Sequence, residues 1–263
     1  MLNPRIIPCL LIQNNGLVKT INFTNPKYIG DPLNAVKIFN DKEADELIVL
    51  DIEATKNNRD PDYKLIENLA SECRMPLCYG GGINNIDQAL KIFSLGVEKI
   101  AISTAAIKDI SIVSEIATKV GSQSVVIILD VKKNLHSEKY EIFCNNGTKS
   151  TGIDAIKYAI KLENEGAGEI VINSIDLDGT MKGYDLNLLR FIRKAVNIPI
   201  TILGGAKNFD DFENVIREFG IIGLAAGSLF VFKGKFKAVL INYPTPNEKI
   251  SLLDHSIYNY FNN

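Results

Sequence analysis

Three ordered segments of this chain occur twice. "DELIVLDIEAT" (45–55) is matched by "GEIVINSIDLDGT" (168–180), "MPLCYGGGINNIDQA" (75–89) by "IPITILGGAKNFDDF" (198–212), and "EKIAISTAAI" (98–107) by "IIGLAAGSLF" (221–230). Strand propensity alone can make two segments look alike. Three matches in the same order, at a nearly constant offset of about 120 residues, require instead that the second half copy the first.

Within and between these segments, short runs rich in Ile, Val and Leu alternate with longer amphipathic stretches, the pattern of parallel strands buried on both faces and crossed over by helices. Eight such runs are present: "RIIPCLLI", "ELIVLDI", "PLCYGG", "KIAIST", "VVIILDV", "EIVINSI", "PITILGG" and "IGLAAG". Between them, "GDPLNAVKIFNDKEA" offers Asp31 as an N-cap and Pro32 in the first turn, and "NIDQALKIFSLG" closes on Gly96. Eight β/α units in 263 residues predict a single (β/α)₈ TIM barrel made of two half-barrels, about 1–120 and 121–240. A final amphipathic helix is expected over about 246–263, with His255 on its surface or in packing.

The balance of 29 basic against 31 acidic residues leaves no electrostatic footprint for nucleic acid or an anionic membrane. No run approaches the length of a membrane helix, and no leader pattern opens the chain. The four cysteines, Cys9, Cys73, Cys78 and Cys144, lack C-x-x-C spacing and only two histidines are present, so no metal, cofactor or disulfide is expected and a cytoplasmic setting fits.

In such a barrel, chemistry gathers at the C-terminal ends of the strands. "YGGGI" (79–83) and "LGGA" (203–206) put Gly81, Gly82, Gly204 and Gly205 just past strands, where backbone N–H groups can close around a phosphate. "STAA" adds Ser103 and Thr104, and "AAGS" adds Ala226, Gly227 and Ser228. Each half thus supplies one expected cradle, and two cradles on one mouth imply a long ligand with a phosphate at each end. Side chains alternate along strands, so Arg5, Ile7, Cys9 and Leu11 share a face, as do Val126, Ile128 and Asp130, and Glu169, Val171 and Asn173. Lys19, in the long loop expected after the first strand, and Asp51, Asn173 and Asp178 are further candidates for contact with the ligand; for Asp51 and Asp178 helix capping is the plainer role. At the opposite end Arg5, Glu46, Lys99 and Glu169 begin four strands, and parity lets them form a ring of alternating charge.

"RIIPCL", "GDP", "DELIVLDI", "YGGGI", "ISTAA", "TGIDA", "GAGEI", "SIDLDGTMKGYD" and "GGA" together resemble the HisF family, the cyclase subunit of imidazole glycerol phosphate synthase, over residues 1–235. The resemblance implies a barrel that receives ammonia from a HisH-type glutaminase docked at its N-terminal face. It also implies a bisphosphorylated substrate, phosphoribulosyl formimino aminoimidazole carboxamide ribotide, converted to imidazole glycerol phosphate. Carried over by residue, the ammonia gate falls on Arg5, Glu46, Lys99 and Glu169, the loop lysine on Lys19, one catalytic aspartate on Asp130 and a phosphate-site threonine on Thr104. Ser103 stands where the family has asparagine, and Leu11 where it has its other catalytic aspartate.

Leucine neither gives nor takes a proton, and loss of such a group costs about 10²- to 10⁴-fold. An intact gate beside half of an acid/base pair resembles the HisF-like branch tied to surface polysaccharides. There the barrel passes ammonia toward an ATP-dependent amidotransferase that makes acetamidino sugars. The alternatives are a true cyclase of histidine biosynthesis and a non-catalytic phosphate-binding scaffold.

Overall fold

The computed structural model describes residues 3–134 and 139–252. Eight parallel strands close on themselves: β1 (Arg5–Gln13), β4 (Leu47–Asp51), β5 (Leu77–Gly80), β6 (Lys99–Ile102), β7 (Val125–Lys133), β10 (Glu169–Ser174), β11 (Ile200–Leu203) and β12 (Gly223–Ala226), with β12 returning to β1. The chain is a (β/α)₈ barrel. Helices cross over outside it, among them α1 (Pro32–Asp41), α2 (Tyr63–Glu72), α3 (Ile86–Ser94), α4 (Thr104–Lys108), α5 (Ser111–Val120), α6 (Ala155–Asn164), α7 (Leu186–Ala195), α8 (Phe209–Phe219) and α9 (Ser228–Val231). No helix among the described residues is long and apolar enough to cross a membrane.

Strand alternation divides the apolar residues into two cores. Outward residues such as Ile6, Leu10, Val49 and Ile127 pack under the helices. Inward residues, including Ile7, Cys9, Ile48, Cys78, Ile128 and Val171, fill the lumen. Helix starts are set by local chemistry: Asp31 accepts from the Asn34 amide ahead of Pro32, and Asp154 accepts from the Ile156 and Lys157 amides at α6. α3 ends at Ser94, and Gly96 follows at φ +95°, which suits glycine. The expected C-terminal helix starts at residue 246 and is described through Leu252; its remainder and His255 lie outside the described residues.

The long loop expected after the first strand is instead an antiparallel hairpin, β2 (Gly16–Ile21) and β3 (Thr24–Gly30), paired to the end of β1. β7 carries the matching excursion, β8 (Tyr140–Cys144) and β9 (Lys149–Asp154). Both β1 and β7 are nine residues long, and their last residues pair with these hairpins in addition to the neighbouring barrel strands. The tips cross over the mouth to the other half. Asn22 Nδ2 donates to the Ile175 carbonyl at 3.0 Å, and Asn146 Nδ2 donates to the Ile52 carbonyl.

Candidate active site

The C-terminal ends of the strands surround an open cleft of about 1010 Å³. On one side Gly81 and Gly82 follow β5, and Ser103 and Thr104 follow β6. Gly81 has φ +121°, and a Cβ there would stand 2.5 Å from the Asp51 carbonyl oxygen, so only glycine lets this loop lie so close to its neighbour. Among the described residues the buried Ser103 hydroxyl has no hydrogen-bond partner, a polar atom that an anionic ligand would satisfy. Thr104 Oγ1 accepts from the Asn145 amide at 3.4 Å, which links this side to the β8–β9 tip.

On the other side a smaller recess of about 290 Å³ is lined by Gly204, Gly205, Ala226, Gly227 and Ser228. Short helices, α4 and α9, begin immediately behind Ser103 and Gly227, and their first residues, Thr104 and Ser228, line the two recesses. Lys19, Asp178 and Leu203 line both spaces and join them.

Asp130 and Leu11 meet at this mouth, as strand parity predicts. Asp130 Oδ1 accepts from Asn173 Nδ2 at 3.0 Å. Burial pushes its carboxyl up to about 7, with the Asn173 hydrogen bond opposing and the charge of Asp178 adding to the rise. Such a group can hold or release a proton at neutral pH. Leu11 lies between Leu50 of β4 and Val18 of β2 and packs on the lumen core.

Two other aspartates line the cleft. Asp51 is held by the amides of Glu53 and Ala54 and by Arg59, 3.0 Å away, so it serves mainly to fix its own loop. Asp178 accepts from the Thr20 hydroxyl at 3.0 Å; burial raises its pKa, against the pull of Lys19. Lys19, read as a loop residue, belongs to β2 and is only 6% exposed, its ammonium donating to the Cys9 carbonyl.

The lower end of the lumen is closed by ion pairs. Arg5 binds both Glu46 and Glu169, and Lys99 sits 2.9 Å from Glu46 and 3.0 Å from Glu169. Thr201 donates a further hydrogen bond to Glu169. Burial opposes the charge of Arg5, but Glu169 and Glu46 outweigh it and raise its pKa; Glu169 is lowered in turn by Arg5 and Lys99 against its own burial. Charges at strand starts are usually solvated, whereas Glu46 and Glu169 are 3% and 5% exposed.

The sequence-derived candidates therefore converge on two places, the mouth and the lower ring. Sequence reasoning passed over Phe23 and Asn146, which line the cleft from the hairpin tips. "NFTN" and "CNNGT" were available as turn signals, since Asn and Gly tolerate the positive φ found at Asn22, Asn145, Asn146 and Gly147.

The model of the histidine biosynthesis protein family matches residues 5–237. A Leptospira interrogans protein, provisionally named imidazole glycerol phosphate synthase subunit HisF, is 57% identical over 96% of this chain and 99% of its own length. A Vibrio vulnificus protein provisionally given a HisF subunit name of the same synthase is 53% identical over 97% and 98%. The imidazole glycerol phosphate synthase subunit HisF of Clostridium botulinum is 39% identical over 89% of this chain and 92% of its own length.

Proposed function

The chain belongs to the HisF family of histidine biosynthesis proteins, and on that premise we propose that it is the ammonia-accepting synthase subunit of an imidazole glycerol phosphate synthase-type amidotransferase. In this reading a HisH-type glutaminase docks at the face bearing Arg5, Glu46, Lys99 and Glu169. Ammonia crosses the apolar lumen, and a bisphosphorylated ligand spans the mouth. The observation that carries the reading is the pair of glycine-walled recesses joined by Lys19 and Asp178 directly above that lumen.

The chain's own groups divide the work. Gly81, Gly82, Ser103 and Thr104 take one phosphate; Gly204, Gly205, Ala226, Gly227 and Ser228 take the other, with charge from backbone amides and Lys19. Asn173 holds Asp130 in place, and Asp130 moves protons at the reacting carbons. Ring closure asks for proton transfer on the opposite side as well, where Leu11 offers a methyl-tipped wall. The cyclisation step is therefore slowed by about 10²- to 10⁴-fold relative to a site with both carboxylates.

Leu11 favours a second reading, in which ammonia leaves this barrel for another acceptor. An ATP-dependent amidotransferase that converts an N-acetyl sugar to an acetamidino sugar for surface polysaccharide would consume it. Turnover of the bisphosphorylated ribotide with free ammonium separates the two, since sugar amidination requires none. The scaffold reading fails if addition of the chain raises the glutaminase rate of a HisH-type partner.

A further inference from the structure

Lys19 is a buried cation without a carboxylate counter-ion within 4 Å among the described residues. Its stem passes from β2 into the mouth, and Nζ donates to the Cys9 carbonyl. Nζ lies against Gly227, where a Cβ would collide with it, and Lys19 lines both the wide cleft and the smaller recess. A carbonyl a few atoms from a phosphate held at Gly204, Gly205 and Gly227 would therefore face this amine. Burial also lowers the pKa of Lys19, with Cys9 and Asp178 acting the other way, and lysines so desolvated are the ones that attack carbonyls.

We propose that Lys19 forms a transient imine with the ketone of a phosphorylated keto-sugar held in the smaller recess, and that ammonia then displaces the lysine from it. The inference rests on the phosphate reading of that recess. The Lys19 ammonium first gives one proton to solvent at the open cleft; the neutral Nζ then adds its lone pair to the ketone carbon, and its surplus proton moves to the former carbonyl oxygen, giving a carbinolamine. A proton from the Asp130 carboxyl lets that oxygen leave as water, while the nitrogen lone pair forms the protonated C=N bond. Ammonia adds to this carbon, a proton passes from the new ammonium to Nζ, and the lysine departs as the free amine. The substrate is left as a protonated imine that returns its proton to Asp130. The net change is ketone plus ammonia to imine plus water, with no redox partner. A protonated imine is a stronger electrophile than a ketone, so ammonia adds to it more readily, while ring closure still lacks a proton-transfer group at position 11.

The test uses dihydroxyacetone phosphate, a three-carbon phosphorylated ketone, with borohydride to reduce any imine, read by intact mass and peptide mapping. One adduct per chain at Lys19 is expected. Excess inorganic phosphate should suppress it, ammonium chloride should lower it more than sodium chloride does, and Lys19→Arg, which keeps the charge, should abolish it. Absence of an adduct, or an adduct that persists in Lys19→Arg or ignores phosphate, overturns the imine. Indifference to ammonium overturns the displacement step. Thermal unfolding with inorganic phosphate separates the two failures: stabilisation by phosphate without an adduct rejects the imine alone, whereas no stabilisation and no adduct rejects the phosphate reading as well.

Discussion

Leu11 and Asp130 show how far single residues could be read. Alternation along β1 and β7 sufficed to place both at the mouth, because a strand's side chains have a period of two and the lumen admits only one face. The neighbours of Asp51 could not be read this way, since Arg59 reaches it from within a loop whose path depends on the whole fold. The proton affinity of Asp130 leads to a stability prediction. Its folded pKa lies near 7, above the ordinary aspartate value, so the folded state holds a proton that the unfolded state has already lost. Its contribution is therefore full below about pH 4 and is lost as pH rises toward 7. Between pH 4 and 8, the unfolding free energy of the wild type should fall relative to that of Asp130→Asn by about 2 kcal/mol, allowing for solvent access to the half-buried carboxyl. Urea melts across that range would measure it, and parallel curves for the two proteins would reject the assignment.

At the scale of elements, the start of α1 was legible because its cap is local, and the cap of α6, which the sequence reading did not single out, is of the same kind. Asp31 and Asp154 each receive amides of their own first turn, and no distant contact is needed to set those starts. Asp31→Ala and Asp154→Ala should each cost about 1 kcal/mol in chemical denaturation. The double variant should cost their sum, since the two caps share no partner. A loss below about 0.3 kcal/mol for either would mean that another acceptor takes over the freed amides. The hairpins were not legible. β3 is mostly exposed and polar, "TNPKYIG", so it carries no burial pattern, and it pairs only because β2 extends beside the end of β1. Lys19 was consequently recognised as a candidate but assigned to the wrong element.

At the scale of the molecule, closure creates what no segment contains. Arg5, Glu46, Lys99 and Glu169 stand at or just before the starts of four strands of both halves, and only the closed barrel buries them against one another. The charges and their common face could be read from the sequence; their removal from water could not. Removing one member leaves an uncompensated buried charge, so Glu169→Gln should destabilise the protein by about 3 kcal/mol. Denaturation with and without 1 M salt, a concentration at which the Debye length is about 3 Å, checks this. A loss that vanished with salt would mean a solvated ring. The same closure gathers two glycine-walled recesses and Asp130 at the mouth, and our central claim is that Leu11 there removes one proton-transfer group. Steady-state turnover of the bisphosphorylated ribotide with ammonium chloride, by this chain and by Leu11→Asp, tests that claim most directly. The variant should be faster in kcat by at least about tenfold with KM little changed; equal rates, or a faster wild type, would contradict a proton-transfer deficit at position 11.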